Sequence, residues 1–260
     1  PEEELYIRWL QFSMFNPIVE VFCEPENTTS NLPWMYSERA DSIFRQYAHW
    51  RMELFPYIYS YALRSRIDGK HMVGKFPAHI YQYTFGDEML VAPVYERKST
   101  TQKVFLPDGK WINYWTNEQM QGNAEYTVPA PINQIPLFIK QGSIIPMREY
   151  ASSVEKGNNN SLTLYIYPND YLRGIYASTN IELISSLDKL ALKIYPVDGY
   201  YKGMNKTRKW NLYVHFYKAP VQVKINQQNL KFSYDETKMI AIVEVPKRSV
   251  KQLTEFEIVF

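Results

Sequence analysis

The first quarter of the chain places apolar residues at the spacing of helices. A short helix is predicted over residues 5–15, where Leu5, Trp9, Leu10 and Met14 follow a helical pattern until Asn16-Pro17 interrupts it. A longer helix is predicted from residue 37 or 41 to about residue 66. Its recurring apolar positions are Ile43, Phe44, Tyr47, Trp50, Leu54, Ile58 and Tyr61. We expect Pro56 to kink or restart this helix, and Asp68-Gly69 to end it.

Between the two predicted helices, residues 18–22 form a short run rich in β-branched residues, which predicts one strand. An irregular loop, rich in Pro, Asn, Thr and Ser, is predicted from Cys23 to Pro33. If the strand is the last of a β/α barrel, its C-terminal end and the following loop face the active site, so Glu20, Phe22 and Cys23 point towards substrate. The alternative is that Glu20 is ion-paired or faces solvent.

After residue 80 the pattern changes to short β-rich runs separated by turns, which is typical of β-sandwiches. The first set comprises residues 88–92, 103–106, 111–115 and 137–139. A second set extends from residues 162–167 to 258–260, with the clearest alternation at 220–226. The polar stretch over residues 154–161 predicts a linker or an exposed loop between the two sets.

Composition and charge then exclude several classes of protein. With 45% hydrophobic and 22% charged residues, the chain resembles a folded, soluble globular protein. The net charge is +2 without a dense basic stripe, so we expect neither nucleic acid nor a membrane as partner. We also expect no membrane-spanning or targeting segment, and the compartment stays open. The given sequence begins with Pro and three Glu residues and continues directly into a helical pattern. We expect such a beginning in the C-terminal part of a longer protein.

Candidate chemistry is sparse in this sequence. The four histidines show no metal-ligand spacing, and no phosphate loop, dinucleotide fingerprint or serine-nucleophile motif occurs, so we expect no metal and no cofactor. Cys23 is the single cysteine, which leaves no intrachain disulfide. Trp34, Trp111 and Trp115 are candidates for stacking on sugar rings, with core packing as the alternative.

Seven strings occur in a fixed order along the chain: LYIRWLQF at residues 5–12, FNP at 15–17, PW at 33–34, RMELFPYIYS at 51–60, FGDEMLVAPV at 85–94, VFLPDGKW at 104–111 and IPLFIKQGSIIP at 135–146. In this order they resemble the end of the catalytic barrel and the following domains of glycoside hydrolase family 31. That family holds α-glucosidases, α-xylosidases and related retaining α-glycosidases. Specific strings therefore cover residues 5–147, and the remainder is similar only in pattern.

The resemblance implies a mainly β chain with an N-terminal α/β piece. Residues 1–79 would be the last strand and helix of a TIM-type β/α barrel, residues 80–152 a proximal antiparallel β-sandwich, and residues 153–260 a distal one. The nucleophile and acid/base carboxylates of the retaining mechanism would lie on earlier barrel strands, so no catalytic residue is expected in this chain. The implied partners are an α-linked oligosaccharide substrate and the N-terminal catalytic barrel of the same protein.

One departure from the family concerns the substrate site. After the matching Pro17 the family usually has Arg-X-His, whereas this chain has Glu20, Val21 and Phe22. The resemblance therefore implies that Glu20 and Phe22, with Trp34, bind a differently substituted sugar, or that the protein is a catalytically reduced relative. Two alternatives are a carbohydrate-binding accessory β-sandwich without catalysis, and a structural remnant whose first 66 residues expose an apolar patch.

Overall fold

The computed structural model describes residues 2–23, 25–27, 31–76, 78–169, 171–176, 179–200 and 204–260, with 171–176 described by their backbone alone. Residues 28–30 of the predicted loop lie outside the described residues. The chain divides into two compact units. Unit 1 comprises Pro1–Met52 with His71–Lys140, and unit 2 comprises Glu53–Lys70 with Gln141–Phe260.

Unit 1 contains helix α1 (Glu3–Met14), a 3-10 helix (Pro33–Met35) and helix α2 (Glu38–Glu53). Helix α1 confirms the predicted short helix, and Glu3 and Glu4 favour its N-terminus by their charge. It buries Leu10 and Met14, as its spacing indicates, but leaves Leu5 and Trp9 60% and 63% exposed. The helix is apolar on more than one side, and unit 1 covers only one of them.

The sheet of unit 1 confirms the predicted first set of strands. The strands are β1 (Val73–Lys75), β2 (Tyr83–Phe85), β3 (Met89–Val91), β4 (Thr101–Leu106), β5 (Lys110–Asn113), β6 (Gln119–Gln121), β7 (Ala124–Pro129) and β8 (Leu137–Lys140). Six of them form an antiparallel sheet in the order β1-β2-β3-β8-β5-β6, and β4 pairs with β7. Leu90, Leu106, Trp111 and Phe138 lie in the core of this unit.

Unit 2 begins with helix α3 (Phe55–Asp68) and continues with the second set of strands. These are β9 (Ser143–Arg148), β10 (Ser161–Tyr167), β11 (Tyr171–Tyr176), β12 (Thr179–Ser185), β13 (Lys189–Ile194), β14 (Thr207–His215), β15 (Gln222–Ile225), β16 (Gln228–Asn229), β17 (Ser233–Asp235), β18 (Ile240–Ser249) and β19 (Thr254–Val259). They form a five-stranded sheet, β17-β18-β14-β10-β9, and a six-stranded sheet, β11-β12-β13-β19-β15-β16. One pairing, between β10 and β14, is parallel, because three intervening strands provide the long crossover that it needs.

The predicted long helix is two helices, as Pro56 suggested. Helix α2 ends at Glu53 and α3 begins at Phe55, with Pro56 in its first turn, where the missing N–H is not needed. Gly69, with φ of 70°, ends α3 in the left-handed conformation that glycine adopts readily. Among the described helices, none has both the length and the apolar character required to span a bilayer.

The predicted strand over residues 18–22 is absent. Within the described part of the chain these residues join no sheet. A strand forms only where a neighbour completes its backbone hydrogen bonds, and a barrel strand requires the adjacent barrel strands. The β-branched composition of residues 18–22 alone therefore does not produce a strand here.

Candidate functional site

A small pocket lies between helix α1 and the segment of residues 19–22, in unit 1. Its volume is about 160 Å³. The pocket is lined by Tyr6, Trp9, Leu10, Ser13, Val19, Glu20, Val21, Phe22 and Asn31. Two of the three predicted site residues, Glu20 and Phe22, thus border one cavity.

The third predicted residue, Trp34, does not line this pocket. It lies in the 3-10 helix that follows the loop, and its side chain is 58% exposed. Glu20 is also exposed and forms no ion pair with another described residue, which agrees with the solvent-facing alternative for this carboxylate in the chain by itself. Both side chains are therefore accessible to a ligand.

Asn31 fixes the segment that carries the predicted residues. Its side-chain Nδ2 donates a hydrogen bond to the carbonyl oxygen of Phe22 at 2.8 Å, and its Oδ1 accepts one from the Tyr36 hydroxyl at 3.3 Å. The Tyr6 hydroxyl donates to the Asn31 carbonyl oxygen at 3.1 Å. Asn31 has a φ of 66°, a conformation that asparagine tolerates better than most residues. One residue therefore connects the segment to α1 and to Tyr36.

The two tyrosines that hold Asn31 remain hydrogen-bond donors over the whole physiological pH range. Their rings stack with centroids 4.1 Å apart. Burial, followed by the charges of Tyr36 and Asp41, raises the pKa of Tyr6 to about 12, and burial also raises the pKa of Tyr36. Neither phenol ionises near neutral pH, so the Tyr6 bond to the Asn31 carbonyl does not depend on pH there.

Arg51 of helix α2 fixes the start of the same segment. Its guanidinium donates to the carbonyl oxygens of Met14 at 2.9 Å, Asn16 at 2.7 Å and Pro17 at 2.8 Å. These carbonyls lie at the C-terminal end of α1, where the helix leaves its backbone acceptors without partners and where a positive charge is favourable. Arg51 therefore sets the direction in which the chain leaves α1.

Arg8 connects α1 by hydrogen bonds to the loops between the strands of unit 1. Its side chain is only 8% exposed, and burial lowers the pKa of its guanidinium. The guanidinium donates to the backbone oxygens of Ser99, Ala130, Pro131 and Gln134 and to the Gln11 amide oxygen. The shortest of these bonds, to Ala130, measures 2.6 Å. The loop between β7 and β8 thus holds helix α1 in place.

Two of the candidate sugar-stacking residues are packing residues instead, which confirms the alternative for them. Trp111 is buried, and its indole Nε1 donates to the Pro107 carbonyl oxygen at 2.8 Å. The Trp115 Nε1 donates to the Ile135 carbonyl oxygen at 2.7 Å. In the described ranges no group of three or more His, Cys, Asp or Glu residues is arranged to hold a metal ion.

Sequence reasoning missed the residues that position the segment. Arg8 and Gln11 lie three residues apart on the buried side of α1, among Tyr6, Ile7 and Leu10, so their polar side chains there were a signal of a buried contact. Arg51 had no such signal, because its acceptors are backbone oxygens. Asn31 lies in a loop whose conformation the sequence does not specify.

Most of the large apolar side chains that unit 1 leaves exposed lie in the first 35 residues. Leu5, Trp9, Phe12, Ile18, Val21, Phe22, Trp34 and Met35 are among them. Eight such residues within one short stretch exceed the scattered apolar exposure of an ordinary surface. Unit 1 therefore exposes an apolar stretch over residues 5–35.

Comparison with known proteins matches two parts of the chain to domains of one family. Residues 1–61 match the family profile "Glycosyl hydrolases family 31 TIM-barrel domain", and residues 71–145 match "Glycosyl hydrolase family 31 C-terminal domain". The 1,6-alpha-glucosyltransferase of Sporosarcina globispora is 31% identical over 181 residues, which cover 65% of this chain and 14% of the transferase. Alpha-glucosidase 2 of Bacillus thermoamyloliquefaciens is 26% identical over 259 residues, covering 88% of this chain and 32% of the glucosidase.

Among solved structures, the fold is similar to that of a family 31 dextranase from Flavobacterium johnsoniae, solved as a mutant with isomaltotriose. The TM-score is 0.87 at 25% identity, and the match covers 99% of this chain and 37% of the dextranase. The chain thus spans a third or less of the two curated relatives and little more than a third of this structure.

Proposed function

The chain belongs to glycoside hydrolase family 31, and from this premise we propose that it is the C-terminal region of a retaining α-glycoside hydrolase. The substrates would be α-linked glucosides, xylosides or related sugars. The observation that carries the proposal is the pocket that brings Glu20 and Phe22 together beside α1, within the part of the chain that matches the family barrel domain.

The exposed apolar stretch supports the proposal that the rest of a barrel packs against residues 1–35. In a closed β/α barrel, the last strand pairs with its neighbours and its helix packs on the outside. Residues 18–22 lack such neighbours among the described residues. The two catalytic carboxylates would lie on earlier barrel strands, so this chain would supply neither and would be inactive by itself.

The proposed domain limits are residues 1–79 for the barrel part, 80–152 for the proximal sandwich and 153–260 for the distal one. The proposed site residues are Glu20, Phe22 and, more peripherally, Trp34. Glu20 would accept hydrogen bonds from sugar hydroxyls, and Phe22 would present a flat face to the ring. Glu20 accepts hydrogen bonds, whereas the Arg and His that the family usually has here donate them. We therefore expect the bound sugar to donate a hydroxyl hydrogen bond to Glu20.

The experiment uses the polypeptide that the source cells make. We expect an antibody against this chain to detect a product much longer than 260 residues, and that product to hydrolyse 4-nitrophenyl α-glucoside, 4-nitrophenyl α-xyloside, maltotriose or isomaltotriose. Saturable hydrolysis of an aryl α-glycoside by the 260-residue chain alone would overturn the proposal.

A matched pair of variants tests the site residues. Glu20→Gln should lower kcat/KM about ten- to a hundredfold, since hydrogen bonds to a charged acceptor contribute about 1.5–3 kcal/mol. Glu26→Gln, an exposed carboxylate of the same loop, should leave kcat/KM unchanged. Equal activity of the two variants would remove Glu20 from the site.

The alternative function is a carbohydrate-binding accessory module without catalysis. It would be favoured if the native polypeptide has about 260 residues and binds trisaccharides without cleaving them. The packing roles of Trp111 and Trp115 weigh against those two residues as its binding surface.

A further inference from the structure

A large cavity lies within unit 2, separate from the pocket of unit 1. Its volume is about 550 Å³, within the range of sites that hold small molecules. It is enclosed by helix α3, the loop of residues 157–160 and strands β9, β10, β12 and β14. None of the predicted site residues lines it.

Aromatic faces form part of the cavity wall. Trp210 of β14 is 5% exposed, and the Arg208 guanidinium lies 5.3 Å from its ring centroid. The rings of Phe55 and Tyr59 of α3 stack with centroids 5.8 Å apart, and the Arg148 guanidinium lies over the Phe55 ring. The ring of Tyr59, which is 48% exposed, is therefore the flat face that a sugar ring can pack against with its C–H surface.

Side-chain amides form the rim of the cavity. Asn159 and Asn205 line it, and neither side chain makes a hydrogen bond with another described residue. The loop that carries Asn159 is held in place, since Arg208 Nε donates to the Asn159 carbonyl oxygen at 3.2 Å and Asn158 Oδ1 accepts from the Asn160 N–H at 2.9 Å. The amides are thus available on a fixed backbone.

A buried hydroxyl without a partner lines the same cavity. Thr179 of β12 is 2% exposed, and its Oγ1 has no hydrogen-bond partner among the described residues. An unsatisfied buried hydroxyl is unfavourable, and because Oγ1 has almost no accessible surface, the Thr179 side chain must rotate about χ1 to present it to a ligand in the cavity. A ligand hydroxyl would then satisfy the bond that the protein leaves unmade.

We propose that this cavity is a second, non-catalytic binding site for a short α-linked oligosaccharide. The α-linked class rests on the proposed function above. That the ligand is neutral and rich in hydroxyl groups is inferred from the cavity itself. Among the described lining residues Arg208 has the only charged side chain, and its Nε already donates a hydrogen bond to the Asn159 carbonyl oxygen. Amides, a hydroxyl and aromatic faces together are the groups that recognise sugar hydroxyls and ring faces.

The test is a ¹⁹F NMR titration of the 260-residue chain labelled with 5-fluorotryptophan. Trp210 reports on the cavity and Trp9 on the unit 1 pocket, with resonances assigned from Trp210→Phe and Trp9→Phe variants. Maltotriose and isomaltotriose are the probes, with cellotriose and inorganic phosphate as comparisons. The protein is produced in bacteria, because Asn159 and Asn205 each begin an Asn-X-Ser/Thr triplet.

We expect a saturable shift of the Trp210 resonance with at least one α-linked trisaccharide. Thr179→Val and Asn205→Ala should each weaken this binding about five- to tenfold, which corresponds to one hydrogen bond. Thr179→Val should not lower Tm, because it removes an unsatisfied hydroxyl. Asn180→Ala is the control, since the residue after Thr179 on a strand faces the opposite side and does not line the cavity.

Three results would overturn the proposal: a Trp210 resonance that does not respond to either α-linked trisaccharide, an equal response to cellotriose, or a response to phosphate alone. A shift of Trp9 without Trp210 would assign sugar binding to the unit 1 pocket only. The titration does not measure hydrolysis, so failure of the proposed enzymatic activity would leave the Trp210 result unchanged.

Discussion

Asn31 donates a hydrogen bond from its side-chain amide to the carbonyl oxygen of Phe22 at 2.8 Å, and so ties the loop to the segment that carries the proposed sugar contacts. Residues 18–22 have no strand partner among the described residues. Their position therefore depends on this hydrogen bond and on those from Arg51, and not on the backbone hydrogen bonds of a sheet. The position of Phe22 therefore depends on a loop residue.

Asn31→Gly should loosen the segment with little backbone strain. Glycine keeps the φ of 66° but removes the amide, so we expect faster cleavage by a protease within residues 18–22. Asn31→Ala should lower the free energy of unfolding by about 1 kcal/mol more than Asn31→Gly, because alanine is strained at that φ. Equal cleavage rates in wild type and Asn31→Gly would show that the amide does not hold the segment.

Arg8→Met should lower the free energy of unfolding by about 3 kcal/mol, because it leaves several backbone oxygens without their donor. Urea unfolding with an unchanged m-value measures the effect. Arg39→Met is the matched control, since the Arg39 pair with Glu3 lies at the surface, where an ion pair contributes little to stability. A loss for Arg8→Met no larger than that of the control would contradict the anchoring role.

His215 makes the stability of unit 2 depend on pH. Burial lowers the pKa of its imidazole from 6.5 to about 4, and its ring stacks on Tyr167 at 4.1 Å. In the range between these two values the unfolded chain binds the proton and the folded one does not, so stability falls with decreasing pH, by up to about 3 kcal/mol. Above pH 6.5 this contribution is constant.

Thermal unfolding at pH 7 and pH 4.5 measures the His215 effect. The fall in Tm from pH 7 to pH 4.5 should be smaller for His215→Phe than for wild type. For His71→Gln, which replaces an exposed histidine, the fall should equal that of wild type. A parallel loss in all three proteins would assign the acid sensitivity to other groups.

Gly157→Ala should destabilise the loop at the rim of the large cavity. A Cβ at residue 157 would overlap the Arg148 guanidinium, which is buried and lies 4.4 Å from the Phe55 ring centroid. We expect a loss of about 1–3 kcal/mol in urea unfolding. In a protein that already carries Arg148→Ala, Gly157→Ala should hardly change the free energy of unfolding. An equally large loss there would show that overlap with Arg148 is not the cause.

The elements that the sequence predicted well depend on local signals. Pro56 and Gly69 fix a helix start and a helix end through their own backbone restrictions, so their positions were readable without knowing the fold. The structure of residues 18–22 could not be predicted in this way, because a strand forms only when other strands pair with it. The burial of Leu10 and the exposure of Trp9 likewise depend on which side of α1 has a partner, which spacing alone does not decide.

The two cavities were predictable to different degrees. Glu20 and Phe22 are two residues apart, so a single local inference placed both at one pocket. The cavity of unit 2 combines Tyr59, Thr179 and Trp210 from three separate elements. Only the folded sandwich brings these residues together, and no run of sequence contains them.

The contacts of Arg8 also have a consequence for biosynthesis. Its acceptors at Ala130 and Gln134 lie 122 and 126 residues further along the chain. At about 5–20 residues per second, the ribosome makes those acceptors roughly 6–25 s after α1 has been synthesised. During that time α1 lacks its contacts with the loop between β7 and β8. Helix α1 is therefore among the last parts of unit 1 to become fixed.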